Sequence, residues 1–315
     1  MENEQDVNKL TDIFFDIYKN AKISGQIYQV ENYKNKNIVF LDSDYSYIHI
    51  FQGSSFKIKS DEQKINEIVN DGDVIVIPSR FKHSIEIIVN DGDVIVIPSR
   101  FKHSIEIIED KAAEPVVITC VFQLNGVYGQ TIAEGLPKYI VVPSDQDGKV
   151  AEWIPMTVAA IKLELDQPSL GSQVMLSSVI DLLLVWSIRF WLNKETLNHK
   201  SWISALQNPT ISKALFLMHS NPTKEWTVEI LAKETNQSKS KFSKNFIQLV
   251  GTTPINYLKH WRMKLAKQYL IETNKSISQI ADLVGYSSPA AFTRSFIQTF
   301  GYSPRKFREI SETKT

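Results

Sequence analysis

The side chains best suited to chemistry in this chain are cations and hydroxyls, and they fall in two sets about 50 residues apart. The first set is Lys239, Ser240, Lys241, Ser243 and Lys244; the second is Ser288, Ala290, Thr293 and Arg294. Ammonium, guanidinium and hydroxyl groups donate hydrogen bonds to phosphates and to base edges, and small side chains let a helix approach closely. This is the chemistry of nucleic-acid binding. No catalytic residue, metal ligand or cofactor is assigned.

One sequence written twice must position both sets. It runs from Val228 to Pro254 and again from Ile277 to Pro304. Leu231-Ala232 answers to Ile280-Ala281, and Asn236 to Gly285. One residue is then added in the turn, and Phe242, Phe246, Gly251 and Pro254 answer to Phe292, Phe296, Gly301 and Pro304. Each copy reads as helix, turn, helix. In the second, Ser276-x-x-Gln279 predicts a capping box, Gly285 the left-handed stop, and Ser288-Pro289 the cap and first position of the next helix. Phe292, Phe296 and Phe300 recur on one face. In the first, Thr227 stands at the start, and Asn236 fills the turn because it tolerates positive φ. Two helices joined by a tight turn form a helix-turn-helix, whose second helix enters the major groove.

These stretches resemble the DNA-binding domain of the AraC/XylS family of transcription regulators. The resemblance covers Pro209 to Arg308. It rests on Trp226 to Ala232 (WTVEILA), Phe242 to Pro254, the WRM run at Trp261, the IADLVGYSS run at Ile280 and FGYSPRKFR at Phe300. It implies that one long helix, Pro254 to about Glu272, bridges the units, so that the recognition helices meet successive major grooves on one DNA face. Arg262 on that bridge joins the expected DNA-binding residues. The family likeness also implies promoter DNA and RNA polymerase as partners.

Charge is distributed to match. The 315 residues balance 35 Lys and Arg against 35 Asp and Glu. From Ser201 onward there are 16 basic and 7 acidic residues, which leaves 19 against 28 before it. A basic part tethered to an acidic one fits nucleic-acid binding at one end. The polar, acidic start predicts no signal peptide, and no uninterrupted apolar run reaches the ~18 residues of a membrane span. A single cysteine, Cys120, excludes an intrachain disulfide. Together these predict a cytoplasmic protein without membrane association.

The N-terminal part opens with an amphipathic helix within residues 1 to 25 and then turns to short alternating strands at Tyr45–Phe51, Phe56–Lys59, Val74–Ile77, Ser84–Ile88 and Val116–Gln123. That spacing predicts a sandwich or barrel. Gly72 to His83 resembles the second motif of the cupin barrel, which implies a sensor of the kind AraC-type regulators carry. His49, Phe51, His83 and His103 are the expected lining of a pocket for an unknown small-molecule effector. Only His49 stands on the earlier hairpin, too few ligands for a metal. Residues 69–88 recur letter for letter as 89–108. A barrel has a fixed strand count, so one copy should complete it and the other should be a surplus hairpin. Thr157–Leu165 reads as a short helix. The segment Gly171–Leu197 reads as a long helix apolar on most sides, which a second subunit would cover, and Asn198–Asn208 as a linker.

The expected fold class is therefore α+β. Residues 1–200 form a cupin-like β-barrel with a helical dimerisation segment, and residues 209–310 an all-α domain of two helix-turn-helix units joined by a long helix. The expected function is a ligand-responsive, homodimeric transcription activator. The alternatives are a cupin metalloenzyme with a helical appendage, and a constitutive DNA-binding protein whose barrel only dimerises.

Overall fold

The computed structural model describes residues 13–21, 23, 25–32, 38–40, 46–52, 55–59, 65–66, 85–89, 94–97, 103–109, 116–124, 126–137, 140–142, 149–194 and 200–312. The chain divides into two compact units. One holds Met1–Asn20, Gly126–Tyr128 and Leu197–Thr315; the other holds Ala21–Asn125 and Gly129–Thr196. The amphipathic N-terminal helix, α1, spans residues 13–21 and buries Ile13 and Ile17.

Ten strands form two sheets of five among the described residues. The first sheet runs β1 (Gly25–Asn32), β9 (Val116–Phe122), β3 (Ser46–Gln52), β7 (Val94–Ile97), β10 (Ile140–Val142). The second runs β2 (Ile38–Phe40), β8 (His103–Glu109), β4 (Ser55–Lys59), β6 (Ile85–Val89), β5 (Ile65–Asn66). The pairing is antiparallel except between β5 and β6. Every residue from Ser46 to Ile50 is buried, and so is every residue from Val117 to Phe122. Successive side chains point to opposite faces of a strand, so both faces of the first sheet are covered at its centre. The expected strand at Val74–Ile77 lies outside the described residues.

Three helices complete this part: α2 (Gly126–Gly135), α3 (Lys149–Asp166) and α4 (Ser172–Lys194). The sequence reading missed α2, because Gly126, Gly129 and Gly135 read as turn residues. It also started α3 too late, at Thr157, because Pro155 reads as a helix boundary; the helix continues through it. α4 packs on β1 and β10. Gly25 permits that approach, since a Cβ there would sit 2.3 Å from Ile180 Cγ2. The buried side of α4 is Leu176, Val179, Ile180, Leu183, Leu184, Ile188 and Trp191, spaced by three and four as a packed helix requires. By length and composition α4 as a whole could cross a membrane. Asp181 and Arg189 interrupt its apolar run, and its buried side makes it a core helix of this unit.

From Ser201 the chain is helical: α5 (Trp202–Ala205), α6 (Pro209–Ser220), α7 (Val228–Glu234), α8 (Lys239–Val250), α9 (Pro254–Glu272), α10 (Ile277–Leu283), α11 (Pro289–Phe300) and α12 (Pro304–Glu312). The expected linker at Asn198–Asn208 is a correction. Its polar letters hide a capping box at Ser201 and Ser204, and Trp202, Ile203, Ala205 and Leu206 are buried. At the centre of the second helix-turn-helix, Trp261, Met263, Ala266 and Leu270 of α9 share one core with Ile280, Ala281, Val284, Phe292 and Phe296.

The exact repeat resolves unevenly. The second copy supplies β7, between β3 and β10, and most of β8, between β2 and β4. The first copy supplies most of β6, which takes the other side of β4. The two identical segments thus flank one strand: Lys57 stands opposite Glu106 on one side and Ile88 on the other. The surplus copy is therefore not a free hairpin in its second half; its first half lies outside the described residues. Deleting 69–88 or 89–108 yields the same chain, because the copies are identical. The partners β2, β3, β4 and β10 all lie outside the repeat. The shortened chain should therefore refold with the surviving copy in the β7 and β8 positions and bind DNA unchanged. Circular dichroism and DNA titration check this; loss of folded protein would show that β6 is a required strand.

Candidate nucleic-acid interface

Local sequence sets both reading helices. Thr227 Oγ1 accepts from the Ile230 amide at 3.1 Å to start α7, and Ser238 caps α8. Ser276 and Gln279 close the expected capping box on α10, and Ser288 Oγ accepts from Ala291 N at 3.2 Å to start α11. The turns need left-handed backbone: Asn236 has φ 55° and Gly285 φ 77°. Asparagine thus does at the first turn what glycine does at the second. Phe242, Phe246, Phe292 and Phe296 are all fully buried, which fixes the rotation of each helix and therefore which residues face out.

The outward residues are largely those expected. Lys239, Ser240, Lys241 and Lys244 are exposed and Ser243 is half-buried. On α11, Ala290 and Arg294 are exposed and Thr293 is half-buried. Among the described residues the side chains of Lys241, Lys244 and Arg294 make no hydrogen bond or ion pair. Ser288 spends its hydroxyl as the helix cap. Lys239 is paired with Glu229 across the first turn, and that hydrogen bond holds the Glu229 carboxyl below the usual range. Sequence reading missed this carboxylate because Glu229 lies on the helix before the basic set; its cue was an acidic first turn facing a basic one.

Arg262 stands apart from the expected DNA contacts. Its Nε donates to Pro222 O at 2.7 Å and its Nη2 to Lys224 O at 2.9 Å, both in the loop that leads into α7. Burial pushes its pKa down. The same guanidinium lies 5.9 Å from the Tyr286 ring. At Gly285 a Cβ would meet Thr223 Cα at 2.7 Å and Arg262 Nη2 at 3.0 Å. The turn of the second unit is thus pressed against the entry loop of the first, with Arg262 wedged between. Arg308 repeats the device one unit later. Its Nη2 donates to Lys275 O at 2.7 Å and to Thr273 O at 3.5 Å in the loop before α10. Each unit is closed by an arginine from the helix that follows it.

Behind the first unit, His219 stacks on Trp261 at 4.1 Å and bonds Tyr257 Oη at 2.8 Å through Nε2. Burial lowers its pKa to about 3, so the ring is neutral near pH 7. A neutral stacked imidazole is packing material here.

Of the expected effector pocket, His49 is fully buried on β3, with Nδ1 2.9 Å from Thr119 Oγ1 on β9 and its ring stacked on Tyr47 at 5.7 Å. Phe51 lies on β3 and His103 opposite Phe40 at the start of β8; nothing of their side chains is described. His83 lies outside the described residues. Cys120 is buried on β9 and its thiol is pushed up to about 12, so it stays protonated and inert.

Both parts of the chain are similar to known proteins. Residues 231–310 match the helix-turn-helix domain family and residues 37–193 the cupin family. The transcriptional regulator AlkR of Acinetobacter baylyi is 33% identical over 183 residues, covering 58% of this chain and 60% of that protein. The RCS-specific transcriptional activator RclR of Escherichia coli is 27% identical over 157 residues, covering 50% and 55%. The chain spans about 60% or less of the length of these relatives. A solved regulator with an AraC-type DNA-binding domain from Chromobacterium violaceum is 30% identical, covering 33% of this chain and 92% of that one, with a TM-score of 0.31.

Two outcomes follow from the contacts. Glu229→Gln releases Lys239 and removes a negative charge beside the phosphates, so affinity for any duplex should rise and the slope of log affinity against log salt should steepen by up to about 0.9. Fluorescence anisotropy over a salt series measures it; an unchanged slope would mean Lys239 stays off the DNA. Arg262→Met strips two charge-assisted bonds from Pro222 O and Lys224 O, at a cost of about 1.5–3 kcal/mol each before relaxation. Amide hydrogen exchange in α9 should speed up accordingly, and unchanged exchange would show the wedge to be dispensable.

Proposed function

This chain belongs to the AraC family of helix-turn-helix transcription regulators with an N-terminal cupin domain, and we propose that it reads promoter DNA as an effector-responsive homodimer. The observation that carries the reading is the pair of capped recognition helices, α8 and α11, mounted on one helix with their basic and small side chains outward. Helices so held enter successive major grooves about 10 bp apart. Lys239, Ser240, Lys241, Ser243, Lys244, Ala290, Thr293 and Arg294 supply the contacts, and Ser288 and Arg262 hold the helices that bear them. AlkR and RclR are named as transcription regulators, and regulation rather than turnover is the activity in this reading.

In this reading residues 1–200 form the sensing and dimerising part and residues 209–310 the DNA-reading part. The two sheets close as a cupin-type barrel, and His49 on β3 is the described candidate for contact with a small-molecule effector. Transcription is activated through contact with RNA polymerase in the cytoplasm. A repressor remains the second outcome of any reporter assay.

Dimerisation falls to the outer side of α3 and α4. Leu183 is only 3% exposed and belongs to the unit's own core, whereas its neighbour Leu182 is 44% exposed. Met156 and Leu163 on α3 and Val174 and Met175 on α4 are exposed with it. Burying that strip against a second copy removes apolar area from water, at roughly 25 cal/mol per Å².

Footprinting on the DNA upstream of the regulated gene tests the function: protection of two adjacent major grooves is expected, altered by the effector. No protected site at any salt would refute it. Met175→Glu with Leu182→Glu should give a folded monomer by sedimentation. A wild type already monomeric at tens of micromolar would place the dimer contact elsewhere.

A further inference from the structure

The two recognition helices are built alike and dressed differently. Aligned on Phe242 and Phe292, Lys239, Lys241 and Lys244 of α8 answer to Pro289, Ala291 and Arg294 of α11. Ser240 and Ser243 answer to Ala290 and Thr293. The first helix therefore offers ammonium and hydroxyl groups at every one of these positions. The second offers Pro289, the methyls of Ala290 and Ala291, one hydroxyl beside a methyl at Thr293, and a single guanidinium.

Those two inventories recognise different things. An ammonium is a strongly hydrated point charge without a preferred plane, suited to a phosphate and less selective than a guanidinium toward the guanine edge it can also reach. A serine hydroxyl donates or accepts and accommodates several bases. A guanidinium is a planar fork that matches the O6 and N7 acceptors of guanine, and alanine or threonine methyls pack on the methyl of thymine. Ala290 and Arg294 are four apart and so share one exposed face of α11, with half-buried Thr293 beside them. Arg294 is free of intramolecular partners among the described residues, so its fork is available.

Resting on the DNA-binding reading above, we infer that sequence discrimination is concentrated in the groove entered by α11, at a guanine read by Arg294 flanked by thymine packed on Ala290 and Thr293. The groove entered by α8 is gripped chiefly through phosphates by Lys241 and Lys244, and its sequence matters little. The operator half-site is accordingly lopsided: one stringent block and one permissive block about 10 bp away.

Selection of duplexes from a random pool by the full chain tests this directly, with Arg294→Ala, Arg294→Lys and the double variant Lys241→Ala/Lys244→Ala beside the wild type. The wild type should enrich a G-and-T block in one groove and little in the next. Arg294→Ala should lose the guanine preference by about 5- to 150-fold, and Arg294→Lys should lose less of it. Lysine lacks the planar fork but keeps the charge, so Arg294→Lys should keep the wild-type salt slope, which shows the variant folded and bound. The lysine double variant should retain the motif while its salt slope falls by about 1.8. Survival of the guanine preference in Arg294→Ala, or loss of the strongest positions in the lysine double variant, would overturn the inference while leaving DNA binding intact. Failure of the wild type to retain any duplex even at low salt would overturn the DNA-binding reading, and this inference with it.

Discussion

The burial of one helix, α9, is the constraint on which the reading surface depends. Pro254, Leu258, Trp261, Met263, Leu265, Ala266 and Leu270 are all buried along its 19 residues. The first unit reaches it through Phe246, whose ring meets Tyr257 edge-on at 5.9 Å, and α6 behind that unit reaches it through His219 against Trp261. The second unit reaches it through the cluster that joins Trp261 and Ala266 to Phe292 and Phe296. Trp261 serves both sides. Both helix-turn-helix units thus pack on α9, which ties one to the other. The Arg262 wedge and the Gly285–Thr223 contact add a second tie at the far side. A bond from Lys259 Nζ to Gln298 Oε1, 2.5 Å, links α9 to α11 once more.

Rigidity of that kind has a functional reading. Two recognition helices on a stiff bar measure a distance along DNA as well as a sequence, because their separation cannot be adjusted to the site. About 28 Å of helix is the bar. The charge distribution supports the same division of labour: the net positive charge lies in the C-terminal part, where Lys241, Lys244 and Arg294 stand exposed, while the acidic N-terminal part is repelled by phosphate and left for other work.

Legibility in the sequence followed the locality of the signals. The helix-turn-helix boundaries were readable because caps and turns are local: Thr227, Ser276 with Gln279, Ser288 with Pro289, and the left-handed residues Asn236 and Gly285 each act within a few positions. The rotation of the reading helices was readable too, since phenylalanines four apart define the buried face. What escaped were facts that depend on distant partners. Arg262 looked like a DNA contact because a basic residue in a DNA-binding domain usually is one; only the fold brings Pro222 O and Lys224 O to it. Leu183 and Leu182 are indistinguishable as letters, and which one is buried depends on β1 and β10. Helix α5 was hidden because four residues carry no period. The exact repeat could not be assigned from sequence at all, since identical segments have identical preferences, and only the register of β4 with each of them separates their places.

The most direct test of a rigid two-groove reading head is to change the spacing of the operator. With a site obtained by selection, 5 or 10 bp are inserted beside the stringent block, and affinity and phosphate protection are measured for the full chain. An α9 bar locked to both units predicts that the phosphates protected by α8 stay about 10 bp from the stringent block in every duplex, with affinity little changed, because that groove is held with little regard to sequence. Protection that moves outward with the displaced flank would contradict it and show that the two units move independently.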